Sequence, residues 1–171
     1  MKDSELAVPM RRSLLFVCLG NICRSPAAEG VCQGLVKRMK LPDAYHIDSA
    51  GTIGYHTGKG ADPRMIQAAE KRGYLLLSRS RQVTYQDLDQ FDLVIPMDRD
   101  NRQDILLVNP QPKSNIKLLS EFLDDSWPTD VPDPYYGGDE GFEYVLDMLE
   151  SACPAILDYL TEQRIERKKL A

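Results

Sequence analysis

The stretch from Leu14 to Val31 constrains the fold of this chain more than any other. Leu14, Leu15, Phe16 and Val17 form an unbroken apolar run, the pattern of a strand buried on both faces. It passes directly into Cys18, Leu19, Gly20, Asn21, Ile22, Cys23, Arg24, Ser25 and Pro26, and then into the helix-compatible run Ala27, Ala28, Glu29, Gly30, Val31. Pro26 suits a first helical turn, where its missing N–H would have no intrahelical partner anyway. A strand, a tight loop and a helix N-terminus therefore follow one another without a spacer. Such a loop offers successive backbone N–H groups and the positive end of a helix dipole to whatever it encloses. The predicted occupant is a tetrahedral oxyanion such as phosphate. Gly20 is expected to make the tight turn, and Arg24 to add a planar fork that holds two phosphate oxygens, a geometry lysine cannot reproduce. The same positive field acts on Cys18 and favours its thiolate. Nucleophile and cradle would then be one device.

Downstream, strand-like and helix-like segments alternate. Ala27, Val31, Leu35 and Met39 recur at four-residue steps and predict a helix over 26–39, with Lys37, Arg38 and Lys40 near its C-terminus. Residues 45–50 read as a short strand. Asp62 and Pro63 form a cap-and-first-turn signature for a helix through Arg72, closed by Gly73. Thr84 can cap a turn through Leu88, the apolar run 91–97 predicts a buried parallel strand, and Asp98 can cap a helix to Val108, stopped by Asn109 and Pro110. A fourth strand is expected over 115–119. The stretch 124–138, with Pro128, Pro132, Pro134 and the closing Gly137 and Gly138, reads as a surface loop. Phe142, Val145, Leu146 and Leu149 then form the stripe of a last helix that Pro154 should kink or restart. The pattern implies an α/β fold: an open four-stranded, mainly parallel sheet with helices on both faces, flavodoxin-like and doubly wound. In such sheets ligands bind at the carboxyl ends of strands, where strand order reverses. The loop after the first strand lies at such an end.

With 171 residues the chain has the size of one domain, read as an N-terminal tail over 1–12 and a single domain over 13–171. The net charge of −5 argues against nucleic acid as a partner. The acidic stretch 121–147 and the basic run 164–169 read as solvated surface. The first twelve residues carry charges and no apolar core, and the run 14–19 is too short to span a bilayer, so neither export nor membrane attachment is expected. Four cysteines without metal-type spacing suit a reducing, cytoplasmic setting and no metal site. A lone cysteine at a strand end is by itself usually a buried hydrophobe. A nucleotide loop is a poor fit, because neither the lysine of a P-loop nor the glycines of a dinucleotide fingerprint are present.

The run from Cys18 to Pro26 closely resembles the active-site signature of the low-molecular-weight protein tyrosine phosphatases. Further segments resemble that family in the same order: Asp48 to Thr52, Ala61 to Arg64, Arg81 to Val83, Met97 and Asp98, and Asp133 to Gly137. The resemblance spans about residues 13–160. It implies hydrolysis of aryl phosphate monoesters through a cysteinyl-phosphate, without metal or cofactor. Cys18 would be the nucleophile and Arg24 the phosphate clamp. Asp133 would be the general acid that protonates the departing phenol and then, as carboxylate, the base that activates water. Leu19, Gly20, Asn21, Ile22 and Cys23 complete the implied phosphate loop, Asn21, Ser25 and Ser49 brace it, and Tyr55, Tyr135 and Tyr136 wall the substrate cleft. Ile22 stands where related arginine phosphatases carry threonine, which favours phosphotyrosine. The implied partner is a phosphotyrosine-containing protein or a small aryl phosphate, met by a monomer or weak homodimer.

Cys23 resembles a second loop cysteine able to form a reversible disulfide with the nucleophile, which makes the chain a redox-sensitive candidate. Cys32 and Cys153 read as core. One departure stands out. A histidine frequent in the family shortly before the segment matching Arg81 and Gln82 is replaced by Ser78, and neither His46 nor His56 fills that place; His56 could rim the cleft beside Tyr55. Two alternatives are weighed against phosphatase activity. Arsenate reduction on the same scaffold needs a further cysteine pair, and the stretch 78–109 has no cysteine. A non-catalytic phosphotyrosine-binding module would be expected to lack the nucleophile or the acid, and both are present.

Overall fold

The computed structural model describes residues 11–170, apart from the side chains of residue 42 and of 164–168. The tail predicted over 1–12 falls outside this range for residues 1–10, as do most side chains of the basic run 164–169. The sheet has four parallel strands: β1 (Arg12–Cys18), β2 (Tyr45–Gly51), β3 (Leu93–Pro96) and β4 (Asn115–Ile116). Their order is β2-β1-β3-β4. The chain leaves β1 toward one edge and later returns to β1's other side, so strand order reverses at β1. Its loop lies at that switch point, as expected for an α/β doubly wound fold.

Residues alternate sides along β1, and each side meets its own core. Leu14 and Phe16 pack in the larger cluster, with Val31 of α1 (Arg24–Arg38), Met65 of α2 (Pro63–Lys71) and Leu149 of α5 (Asp139–Leu170). Leu15 and Val17 face the smaller one, with Leu88 of α3 (Asp87–Gln90) and Ile105 of α4 (Arg99–Val108). This explains the unbroken apolar run. Gly30, unfavourable inside a helix, serves close packing: a Cβ there would lie 2.3 Å from Leu76 Cδ2 and 3.2 Å from the Leu75 carbonyl oxygen. Among the described residues no helix is long and apolar enough to cross a membrane.

Three predicted elements differ. The fourth strand covers Asn115–Ile116 only, because Glu121 takes the Leu118 N–H at 2.6 Å and Leu119 opens a single helical turn. The third strand is trimmed to Leu93–Pro96, since the Phe91 N–H is engaged by Asp87 at the end of α3. The last helix runs through Pro154 without restarting. Pro154 is exposed while Ala152, Cys153, Ile156 and Leu157 are buried, so the missing N–H falls on the side where water can serve the orphaned carbonyl. Apolar packing on the opposite side keeps the helix whole. The caps agree with the sequence: Asp62 accepts from the Arg64 N–H, Asp98 accepts from the Asn101 N–H, and Gly73 follows α2 at φ +87°.

Candidate active site

Residues 18–24 form the loop between β1 and α1, and its backbone is held from outside. The Thr52 and Ile53 N–H groups donate to the Cys18 and Leu19 carbonyls at 2.9 and 3.1 Å, and the Asp62 N–H donates to the Ile22 carbonyl at 2.8 Å. Gly51 at the end of β2 permits this approach, since a Cβ would meet the Leu19 oxygen at 2.8 Å. The tight turn expected of Gly20 is made instead by Asn21, at φ +55°, a conformation asparagine tolerates better than most residues. Gly20 has a different reason to be small: a Cβ on it would come within 3.1 Å of His56 Cδ2.

Cys18 is buried at the end of β1, with the Asn21 N–H directed at its sulfur at 3.3 Å and Ser25 Oγ 3.0 Å away. Beneath it, the Asn21 side-chain amide donates to Ser25 Oγ at 2.8 Å and to Ser49 Oγ at 2.9 Å, while its oxygen accepts from the Arg81 N–H at 3.0 Å. The Ser49 hydroxyl donates to Glu29 Oε1 at 3.1 Å. These residues are nearly solvent-free, and each such bond contributes about 1 kcal/mol while its loss would strand a buried polar group. Asn21, Ser25 and Ser49 are thus joined by hydrogen bonds beneath the loop.

Arg24 is buried at the loop's end. It donates to Asp98 Oδ2 at 2.6 Å and to the Val131 carbonyl at 3.0 Å, and its other terminal nitrogen lies 3.6 Å from Asp133 Oδ2. Burial works against its charge, but the negative charges of Cys18, Asp98 and Asp133 more than offset this, so the guanidinium is held firmly protonated. Cys23 is affected in the opposite sense. Burial, then the charges of Asp62, Cys18 and Asp133, push its thiol up to about 12 against the opposing influence of Arg64. It is a neutral thiol at physiological pH.

Cys18, Leu19, Gly20, Ile22, Cys23 and Arg24 floor a cleft of about 360 Å³ whose walls include Tyr55, His56, Asp133, Tyr135 and Tyr136. The size suits one small ligand. Tyr135 and Tyr136 meet edge to face with ring centres 4.8 Å apart, as do Tyr55 and His56 in the same lining. Asp133 is 40% exposed, and its Oδ1 accepts from the Tyr135 N–H at 3.1 Å.

A family model described as low molecular weight phosphotyrosine protein phosphatase matches residues 13–169. The chain belongs to that family. A low molecular weight protein-tyrosine-phosphatase of Streptomyces coelicolor is 38% identical over 158 residues, covering 90% of this chain and 96% of that protein. The solved structure of a protein tyrosine phosphatase from Entamoeba histolytica matches with a TM-score of 0.85 at 45% identity, covering 90% of this chain and 99% of that one. That of a Drosophila arginine phosphatase matches with a TM-score of 0.78 at 29% identity, covering 88% and 97%.

For this member of the phosphatase family, the cleft gathers residues that lie far apart in the chain. Asp133 and Arg24 meet across more than a hundred positions. The sequence reading missed three participants. Asp98 was expected only as a helix cap, yet it also holds Arg24, and nothing in its local sequence signals that bond. Ile53 lines the cleft. Arg64 forks Asp62 and donates to the Tyr135 carbonyl at 3.1 Å, tying the flank of the β1–α1 loop to the tyrosine loop.

Proposed function

We propose that this protein hydrolyses phosphotyrosine in proteins, or small aryl phosphates, through a cysteinyl-phosphate. The observation that carries this reading is the convergence of Cys18, the Arg24 guanidinium and the Asp133 carboxyl on one tyrosine-walled cleft. Arg24 and the loop N–H groups would orient the phosphate dianion and take up charge on its equatorial oxygens. The Cys18 thiolate attacks phosphorus: an S–P bond forms, the P–O bond to the phenol breaks, and Asp133 gives its proton to the leaving oxygen. Ser25 can donate to the sulfur and so ease its later departure. In the second step the Asp133 carboxylate removes a proton from a water that attacks phosphorus, the S–P bond breaks, and inorganic phosphate and the thiolate are regenerated.

Tyr55, Tyr135 and Tyr136 supply apolar faces that a phenyl ring can pack against, and the side chain of Ile22 lies in the same cleft. The deciding experiment is a metal-free assay of phosphotyrosine, phosphoserine and phosphoarginine peptides side by side. Preference for phosphotyrosine is expected; preference for phosphoarginine would move the substrate class to that of the Drosophila relative. Cys23 adds a redox proposal. Peroxide would convert the Cys18 thiolate to a sulfenic acid, which condenses with the Cys23 thiol to a disulfide and water. Peroxide inactivation reversed by dithiothreitol is expected, and oxidised protein with both thiols still alkylatable would refute it.

A further inference from the structure

Glu29 is an ionisable side chain for which the reaction above has no use. It lies on α1 one turn beyond the phosphate loop and is 4% exposed. The direction of the hydrogen bonds that reach it is fixed by chemistry. An amide nitrogen only donates, so Ser49 Oγ must accept from Asn21 and give its single proton to Glu29. The same Asn21 nitrogen donates to Ser25, next to the Cys18 sulfur. Glu29 is therefore the final acceptor of the brace beneath the nucleophile.

Asp48 and the Ser78 hydroxyl lie within hydrogen-bond reach of the same carboxyl. Asp48 is tied in place: its Oδ1 accepts the Ser49 N–H at 2.8 Å, and its Oδ2 accepts from Arg81 Nε and a terminal nitrogen at 3.2 and 2.9 Å. Arg81 also serves Asp87 of α3 at 2.7 and 3.2 Å. The charged group acting on Glu29 is thus Asp48 on β2, which is tied in turn to Arg81 between α2 and α3 and through it to Asp87 on α3. One guanidinium is shared by two carboxylates before Glu29 is considered. Two carboxyl groups within hydrogen-bond reach in a buried setting repel each other unless one holds a proton.

We propose that Glu29 is a positioning residue for the phosphate loop that works in its protonated form, donating to Asp48 while accepting from Ser49, and that its ionisation slackens the Asn21 brace under Cys18. Burial first, then the neighbouring Asp48, holds this carboxyl up at about 7, against bonds from Ser78 and Ser49 that favour the charge. The consequence for stability has a definite sign. The folded value lies above the ordinary 4.5, so the contribution is complete below that value and is lost as pH rises through about 7.

The test follows Cys18 alkylation by iodoacetamide between about pH 5 and pH 9, a range that lies above ordinary carboxyl titration and includes the ordinary thiol value. The wild-type profile is expected to carry an inflection near neutrality in addition to that of the thiol. Glu29→Gln keeps a neutral donor and acceptor at every pH and should lose that inflection. Glu29→Ala lacks both and should show a loosened loop throughout, and Asp48→Asn should move the inflection down by about one pH unit. Superimposable wild-type and Glu29→Gln profiles would overturn the proposal, and indistinguishable Gln and Ala variants would reduce Glu29 to a packing role. Infrared titration of the wild-type chain decides the matter even if a variant fails to fold. A protonated-carboxyl band that disappears near neutral pH is expected, and its absence at mildly acid pH would refute the assignment. Neither readout depends on the substrate or on Asp133.

Discussion

The phosphate loop and the Asp133 loop face each other across one cleft but are held in opposite ways. Cys18, Asn21, Arg24 and Ser25 are each at most 3% exposed, and their partners are buried serines, backbone groups and, for Arg24, the mostly buried Asp98 carboxylate. The Asp133 loop is open: Tyr136 is 92% exposed and Asp133 is 40% exposed. Side-chain ties hold it at intervals. Arg99 grips Asp130, Arg24 holds the Val131 carbonyl, and Arg64 holds the Tyr135 carbonyl. Under the proposed mechanism the difference separates two tasks. A cradle for a dianion must be organised before the substrate arrives, whereas a proton donor must adjust to leaving groups of different shape. Anion binding should then be insensitive to changes in the open loop, and proton delivery sensitive to them.

The largest effect expected is at the buried side. Cys18→Ser should abolish turnover by roughly 10⁴-fold or more, the scale on which hydrolases suffer loss of a covalent nucleophile, while vanadate binding persists because the cradle is intact. Single-turnover kinetics and vanadate titration check both halves, and undiminished turnover would refute the covalent route. Asp133→Ala comes next. It should lower kcat by about 10²- to 10⁴-fold for phosphates with poor leaving groups and much less for activated ones, with phosphate inhibition little changed. A series of aryl phosphates of graded leaving-group acidity measures this, and a uniform loss across the series would refute the acid role.

The same contrast governs how much was legible in the sequence. The β1 strand, the loop and α1 are contiguous, and their cues are local: an apolar run, a proline at the helix start, an arginine beside a thiol. They placed the strand, the loop and the helix start, although the left-handed residue proved to be Asn21 rather than Gly20. The sheet order followed from the alternation of elements, while β4 shrank because Glu121 competes for a backbone donor three residues before it. Pro154 misled because its effect depends on which side of α5 faces water. Asp133 had no local cue, since an aspartate among prolines reads as a turn former, and only the resemblance pointed to it. Asp98 and Arg64 carried no cue as partners of Arg24 and Tyr135, because such bonds are decided by tertiary approach over more than seventy positions.

The smallest expected effect is the sharpest test of the contrast. Arg99→Ala removes the paired hydrogen bonds to Asp130 at the start of the open loop and leaves the backbone N–H of residue 99 and the charge of Arg102 to hold that carboxylate. The pair is exposed, so its contribution is modest and screened by salt. Turnover of poor leaving groups should fall by about two- to five-fold, and phosphate inhibition should not move, because Arg24 keeps its own bonds to Asp98 and the Val131 carbonyl. Raising the ionic strength should bring the wild-type rate toward that of the variant, since salt weakens the same ion pair without touching the buried brace. Equal losses in phosphate binding and turnover would mean that the loops move together, through the shared Arg24, and that their independence is only apparent.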